Sequence, residues 1–259
     1  MQRSIALVTG VSRLDGIGKT ICCELAKKGF DIFFTYWSPY DDQMPWKVLE
    51  NEPELIEQEI KQIGVRCERL ELDLSMEKSY EVLLNDVEAR LGQPSVLINN
   101  ATYSTQTDIE TLSESELDKH YLVNMKATTM LTVEFIKRFE GGNNGRIINL
   151  TSGQSLGAMS NEIAYAITKS AIETLTTTLA REAALKGITI NAVNPGLTDS
   201  GWLSDSEKKK WQQHFPMGRI GIPLDVAKLI TFLSSAEAEW ITGQIIHSEG
   251  GFIREKLVL

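Results

Sequence analysis

Short apolar runs alternate with amphipathic stretches along the chain, and that alternation narrows the possible folds more than any other feature. Ile5–Val8 has the length and composition of a buried strand, and Ile17, Ile21 and Leu25 then recur at helical spacing up to Gly29. Ile32–Tyr36, Val65–Leu72, Val96–Asn99, Arg146–Leu150, Ile188–Val193 and Gln244–His247 repeat the strand pattern. Between them the sequence predicts helices over Pro53–Ile63, Ser75–Leu91, Ser113–Phe139, Asn161–Leu185 and Leu224–Ser234. Such alternation predicts an α/β fold: one doubly wound domain over residues 1–259, with about seven parallel strands, right-handed crossovers and helices on both faces. A sheet of this kind binds ligands beyond the carboxyl ends of its strands. Two stretches break the rhythm. An inserted loop near 37–52 carries prolines and aromatics, and a long excursion near 197–222 follows the sixth strand, where it is expected to act as a substrate lid.

Composition excludes some functions. A net charge of −9 and a pI near 5.0 argue against a nucleic-acid or anionic-membrane surface. Cys22, Cys23 and Cys67 are odd in number and have no metal-ligand spacing, which suits small buried hydrophobes in a reducing compartment. His120, His214 and His247 are likewise read as structural, and no metal site is expected. With no signal-peptide pattern and no apolar run of about 18 residues, the expectation is a soluble cytoplasmic protein without a membrane partner.

Two motifs carry chemistry. The stretch Thr9–Gly18 joins the first strand to the first helix, and places Gly10 and Gly16-Ile17-Gly18 where helix N–H groups and the helix dipole favour a pyrophosphate, with Ser12 and Arg13 on the adenosine side. Alone it is weak evidence, because the G-x-G-x-x-G fingerprint is absent and a glycine-rich turn can be purely structural. The second motif is more specific. Ser152 lies just past a strand end, and Tyr165 and Lys169 stand four apart on one helix face. A nearby ammonium favours the phenolate of a tyrosine, whose free pKa is about 10. Such a tyrosine can pass a proton to or from an alcohol oxygen near neutral pH, with the serine hydroxyl holding that oxygen in place.

With Thr9-Gly10, Gly16-Ile17-Gly18, Asp73, Asn99-Asn100-Ala101, Asn124, Ser152, Tyr165-x-x-x-Lys169 and Asn194-Pro195-Gly196 in order, the whole chain resembles the short-chain dehydrogenase/reductase family. Its ending is similar to that of 3-oxoacyl-acyl-carrier-protein reductases. The resemblance implies a single NAD(P)-binding Rossmann domain and an oxidoreductase of carbonyl or alcohol groups. It implies Tyr165 as general acid/base, Ser152 as orienter, Lys169 as ribose binder and modulator, and Asn124 as anchor of a water chain reaching Lys169. Asp73 and Leu74 would meet the adenine, Asn100 and Ala101 the adenosine ribose, and Pro195, Gly196 and Thr198 the nicotinamide. It also implies a homotetramer or homodimer.

The departures carry information. Five residues, not three, separate Gly10 from Gly16, a widening similar to that of enoyl-acyl-carrier-protein reductases. Those, however, space Tyr and Lys by six residues, so enoyl reduction is disfavoured. Thr102 stands where a glycine is common, and Ser200 rivals Thr198 for the nicotinamide amide. No carboxylate occupies Tyr36-Trp37-Ser38 at the end of the second strand, and Arg13 could meet a 2′-phosphate, so NADP(H) is preferred over NAD(H). Asp41 and Asp42 are the rival ribose ligands. The leading substrate is a 3-oxoacyl thioester, as a small molecule or on acyl carrier protein. Asn143-Asn144 lack the basic residue that such a carrier would meet, while Lys186 and Lys208-Lys209-Lys210 could supply it. A sugar, polyol or other alcohol dehydrogenase is the alternative. A non-catalytic nucleotide sensor is disfavoured by the intact Ser152, Tyr165 and Lys169.

Overall fold

The computed structural model describes residues 3–254 except 45, 47, 48, 50 and 143. The inserted loop and the Asn143-Asn144 turn therefore lie partly outside the described residues. Seven parallel strands form one sheet: β1 (Ile5–Val8), β2 (Asp31–Tyr36), β3 (Cys67–Glu71), β4 (Val96–Asn99), β5 (Gly145–Leu150), β6 (Ile188–Asn194) and β7 (Ile245–His247). Their order is β3-β2-β1-β4-β5-β6-β7. In register, Val8 stands between Phe34 of β2 and Ile98 of β4. The chain winds outward one way from β1 and then the other way from β4, so a crevice opens between these two strands at their carboxyl ends.

Because side chains alternate across a strand, each strand feeds two cores. Ala6, Val8, Ile32, Phe34 and Ile98 pack with α1 (Ile17–Lys27), α3 (Glu52–Gln62) and α9 (Pro223–Leu233) on one face. Ile5, Leu7, Phe33, Leu97 and Ile147 pack on the other with α4 (Ser79–Arg90), α6 (Thr128–Arg138) and α7 (Ile163–Ala184). All three cysteines are buried and free, and burial raises their thiol pKa values, as inert core residues require.

Three differences from the sequence reading have local causes. The fourth helix starts at Ser79 rather than at Ser75, because the Asp73 carboxylate accepts the Ser75 N–H at 2.8 Å and closes a turn first. Lys78, at φ 58°, then redirects the chain into the helix. The stretch read as one helix from Ser113 holds α5 (Glu114–His120), capped by the Ser113 hydroxyl, then a π-helical segment Tyr121–Ala127, then α6. Finally, short helices occupy both interruptions, α2 (Ser38–Asp41) in the inserted loop and α8 (Asp205–Gln212) after β6, the latter held by a capping box between Ser204 and Glu207.

Candidate active site

A cleft of about 1730 Å3 runs along the carboxyl ends of the strands. That exceeds the roughly 300–1,000 Å3 of a typical small-ligand pocket, leaving room for two ligands end to end. Every catalytic and cofactor-binding residue that the family resemblance implies lines it, except Asn124 and Lys169, which stand behind its wall; of the rival ribose ligands Asp41 lines it and Asp42 does not.

At one end lies the glycine loop. Gly10 has φ 73°, and a Cβ on it would sit 2.5 Å from the Cα of Ala101. A Cβ on Gly18 would fall 2.8 Å from both the Gly10 carbonyl and the Asn100 amide nitrogen. Gly16 caps α1 without a side chain, so the N–H groups of its first turn are not spent on a capping side chain. A pyrophosphate fits this cradle, where side chains would collide and free donors gather. The Asn100 side chain braces it, donating to the carbonyls of Thr9 at 2.9 Å and Gly10 at 2.8 Å. Asp73 and Leu74 line the same end, with Asp73 already accepting from Ser75.

Arg13 is not free. Its guanidinium donates to the Ser200 carbonyl at 2.9 Å, lies 3.8 Å from Asp41 and stacks 4.2 Å from the Trp46 ring centre. Asp41 is buried, and also holds the Trp46 indole N–H and the Ser12 hydroxyl. Burial pushes its carboxyl pKa up, against the pull of these bonds and of Arg13. One side chain thus ties the widened glycine loop to the inserted loop and to the 197–222 segment. Neither Arg13, the candidate for a 2′-phosphate, nor Asp41, one of its two rivals at the ribose, stands unengaged in this structure.

At the other end stand Ser152 and Tyr165, with Lys169 behind. Tyr165 faces the cleft from the first turn of α7, and Ser152 follows β5. Burial pushes the Tyr165 pKa up to about 12, and the Glu162 carboxylate adds to the rise, while a hydrogen bond with Ser152 opposes it. Burial pushes Lys169 down to about 8; its ammonium donates to the Leu150 carbonyl at 2.9 Å and lies 5.6 Å from the Tyr165 ring centre. Near pH 7, therefore, the phenol holds its proton and most of the ammonium holds its charge. That is the state of an acid ready to protonate a forming alkoxide.

Asn124 sits in the π-helical segment, and its side chain is fully engaged. Its Oδ1 accepts from the Tyr103 N–H at 2.7 Å and the Thr102 hydroxyl at 3.1 Å, and its Nδ2 donates to the Tyr103 carbonyl at 2.9 Å and the Thr168 hydroxyl at 3.1 Å. The side chain thus locks the loop after β4 to the helix carrying Tyr165. Thr102, the departure from glycine, supplies one of these bonds. Pro195, Gly196 and Thr198 line the cleft. The Thr198 hydroxyl turns inward to the Pro195 and Gly196 carbonyls, at 3.0 and 3.2 Å, and Ser200 is buried beside Arg13.

Sequence reasoning missed several cleft residues. Glu162 lies three residues before Tyr165, where the spacing rule that paired Tyr165 with Lys169 would have found it. Tyr103 and Arg254 carry no local signal, since each is brought to the cleft by tertiary packing. Of the basic residues considered for a carrier, Lys186 caps α6 by donating to the Ile136 and Lys137 carbonyls at 3.0 and 3.1 Å. Lys208 pairs with Asp199 at 2.9 Å.

Comparison with known proteins agrees with this geometry. The family model described as Enoyl-(Acyl carrier protein) reductase matches residues 10–253. An uncharacterized oxidoreductase YjdA of Bacillus subtilis is 49% identical over 255 residues, 98% of each chain. The 3-oxoacyl-[acyl-carrier-protein] reductase FabG of Staphylococcus epidermidis is 34% identical over 251 residues, 95% of this chain and 97% of its own. Among solved structures, the angucycline C-6 ketoreductase LanV with bound NADP superposes with a TM-score of 0.84 at 27% identity, covering 96% of this chain and 95% of its own. No helix among the described residues is long and apolar enough to cross a membrane. On the family model, the relatives and the parallel sheet together, the chain belongs to the short-chain dehydrogenase/reductase family, NAD(P)-dependent oxidoreductases of carbonyl and alcohol groups.

Proposed function

We propose that this protein is an NADP(H)-dependent reductase of a 3-oxoacyl thioester or a related carbonyl compound, working in the cytoplasm. The observation that carries the reading is the protonated Tyr165 beside Ser152 at the cleft, with the Lys169 ammonium behind them. The nicotinamide would supply the hydride. Gly10, Gly16, Ile17 and Gly18 would hold its pyrophosphate, Asn100 and Ala101 the near ribose, and Pro195, Gly196 and Thr198 the nicotinamide end. Ser152 would hold the carbonyl oxygen, Tyr165 would give it a proton, and Asn124 would keep the loop and helix in register.

Preference for the phosphorylated cofactor is supported by what surrounds the second strand. Tyr36, Trp37 and Ser38 present no carboxylate, and the Asp41 charge is offset by Arg13. The NADP in LanV is consistent with this. Assay of 3-oxoacyl thioesters on coenzyme A and on acyl carrier protein, beside sugars and simple alcohols, with both nicotinamides, tests the whole reading. Turnover is expected with NADPH and a ketone. Activity confined to polyols with NAD would overturn it. In the same assay the double variant Arg13→Ala/Asp41→Asn, which leaves no uncompensated charge, is expected to weaken NADPH and NADH alike. A loss confined to NADPH would show that Arg13 leaves Asp41 for the 2′-phosphate.

Assembly into a homodimer or homotetramer belongs to the same proposal. On α7, Ala164 and Ile172 are buried while Ile167 is 57% exposed, an apolar residue that the described residues leave mostly uncovered. Two-fold pairing of this helix would cover it. A single monomeric species by light scattering at micromolar concentration would refute the assembly.

A further inference from the structure

The catalytic end of the cleft holds a carboxylate for which the reaction has no use. Glu162 precedes α7, one helical turn before Tyr165, and lines the cleft. It occupies the position of a helix cap, yet its side chain makes no capping bond to the backbone of that helix. Among the described residues no hydrogen bond or ion pair of its carboxylate is found. Of the basic residues that line the cleft, Arg13 pairs with Asp41, Lys19 with Glu59, Lys119 with Glu116 and Arg254 with Glu249, while Lys210 lies over the Trp211 ring. Burial raises the Glu162 pKa, and its charge adds to the rise at Tyr165, on the same wall of the cleft.

A partly buried carboxylate without a partner is costly, and the cost is recovered when a donor meets it. Residues three apart on a helix have Cβ atoms about 5–6 Å apart. Both side chains line the same cleft, so a substrate whose carbonyl oxygen met Tyr165 would bring its neighbouring atoms within reach of Glu162. We propose that Glu162 is a specificity-determining residue that selects carbonyl substrates bearing a hydroxyl or ammonium donor close to the reacting carbonyl, and rejects those bearing a carboxylate there. This rests on the ketone-reductase reading above, and moves the substrate from plain acyl thioesters toward donor-bearing members of the related carbonyl compounds.

The test compares kcat/KM for four ketones matched in chain length: unsubstituted, α-hydroxy, α-amino and α-carboxylate. A hydrogen bond to a charged group contributes about 1.5–3 kcal/mol, so the wild type is expected to favour the hydroxy or amino ketone over the oxoacid by roughly ten- to hundred-fold. The relative rates of the first two decide whether a hydroxyl or a cation is the natural donor. Glu162→Gln should shrink the preference over the oxoacid to within a few-fold, and Glu162→Ala should do the same through a side chain with no polar atom. If either variant, folded by circular dichroism, keeps the wild-type ratio, the inference falls while the ketone-reductase reading stands. If the wild type reduces none of the four with either nicotinamide, the reading of the site falls and takes the inference with it.

Discussion

Tyr165→Phe is expected to lose most turnover, by roughly 10²–10⁴-fold, the usual worth of general acid/base catalysis, while cofactor binding is kept. The substitution removes one oxygen from a ring that stays packed in the same place. Tyr165 is the residue whose proton the site holds ready: burial and the Glu162 charge keep the phenol protonated, and Ser152 keeps its oxygen aimed. Nicotinamide fluorescence titration should give a dissociation constant within a few-fold of wild type, with steady-state turnover collapsing. Near-normal turnover in the variant would remove Tyr165 as the acid and, with it, the reaction proposed for the cleft.

Replacing Lys169 by Met should make the cofactor-free protein more stable and far less active. The ammonium is buried, 3% exposed, and its pKa falls from an ordinary value of 10.5 to about 8. A displacement of that size penalises the charged form by about 3 kcal/mol, and the Leu150 carbonyl left without its donor costs about 1–2 kcal/mol. The net gain near pH 7 is about 1–2 kcal/mol, or a few degrees in Tm for a chain of this length. The sign of the pH dependence follows from the same shift. Below about 8 both folded and unfolded chains carry the charge, and the folded state bears the full penalty. Between about 8 and 10.5 the unfolded chain binds more protons, so this group's contribution to stability rises with pH. Thermal unfolding of wild type and Lys169→Met from pH 7 to 10 should therefore converge as pH increases. A variant less stable at pH 7, or a gap that widens with pH, would show that the ammonium is satisfied in place. Function retained at the expense of stability is a common feature of active sites.

The residues differ in how far their sequence revealed them. The positions of Ser152, Tyr165 and Lys169 were legible because helix periodicity puts Tyr165 and Lys169 on one face and a strand end fixes Ser152, while the roles given to them rest on the family resemblance. Strands such as Leu7-Val8 and Phe33-Phe34 were legible because strands buried on both faces read as continuous apolar runs. The π-helical segment Tyr121–Ala127 was not, since its cause is tertiary: the four bonds of Asn124 to Thr102, Tyr103 and Thr168 outweigh the regular α-helical pattern. Arg13 was placed in the right loop, but its engagement is set by Asp41 and Trp46, in an insertion whose path no local rule predicts. Lys186 looked like a free surface cation because the carbonyls that it caps belong to a helix some fifty residues earlier in the chain.

The tie made by Arg13 has a consequence for the order in which the protein comes into being. Its carbonyl partner, Ser200, is 187 residues further along the chain. Similarly, Asn194, beside Pro195 in the cleft wall, is held by Glu249 at 2.7 Å. During synthesis the strands β1 to β4 can pair long before either partner has left the ribosome, since chains grow at about 5–20 residues per second. The glycine cradle is then present but unroofed, and its Arg13 has no carbonyl to grip. A nascent chain would thus pass several seconds as a half-built nucleotide fold, and would become competent to close around a dinucleotide only once Ser200 and Glu249 have emerged.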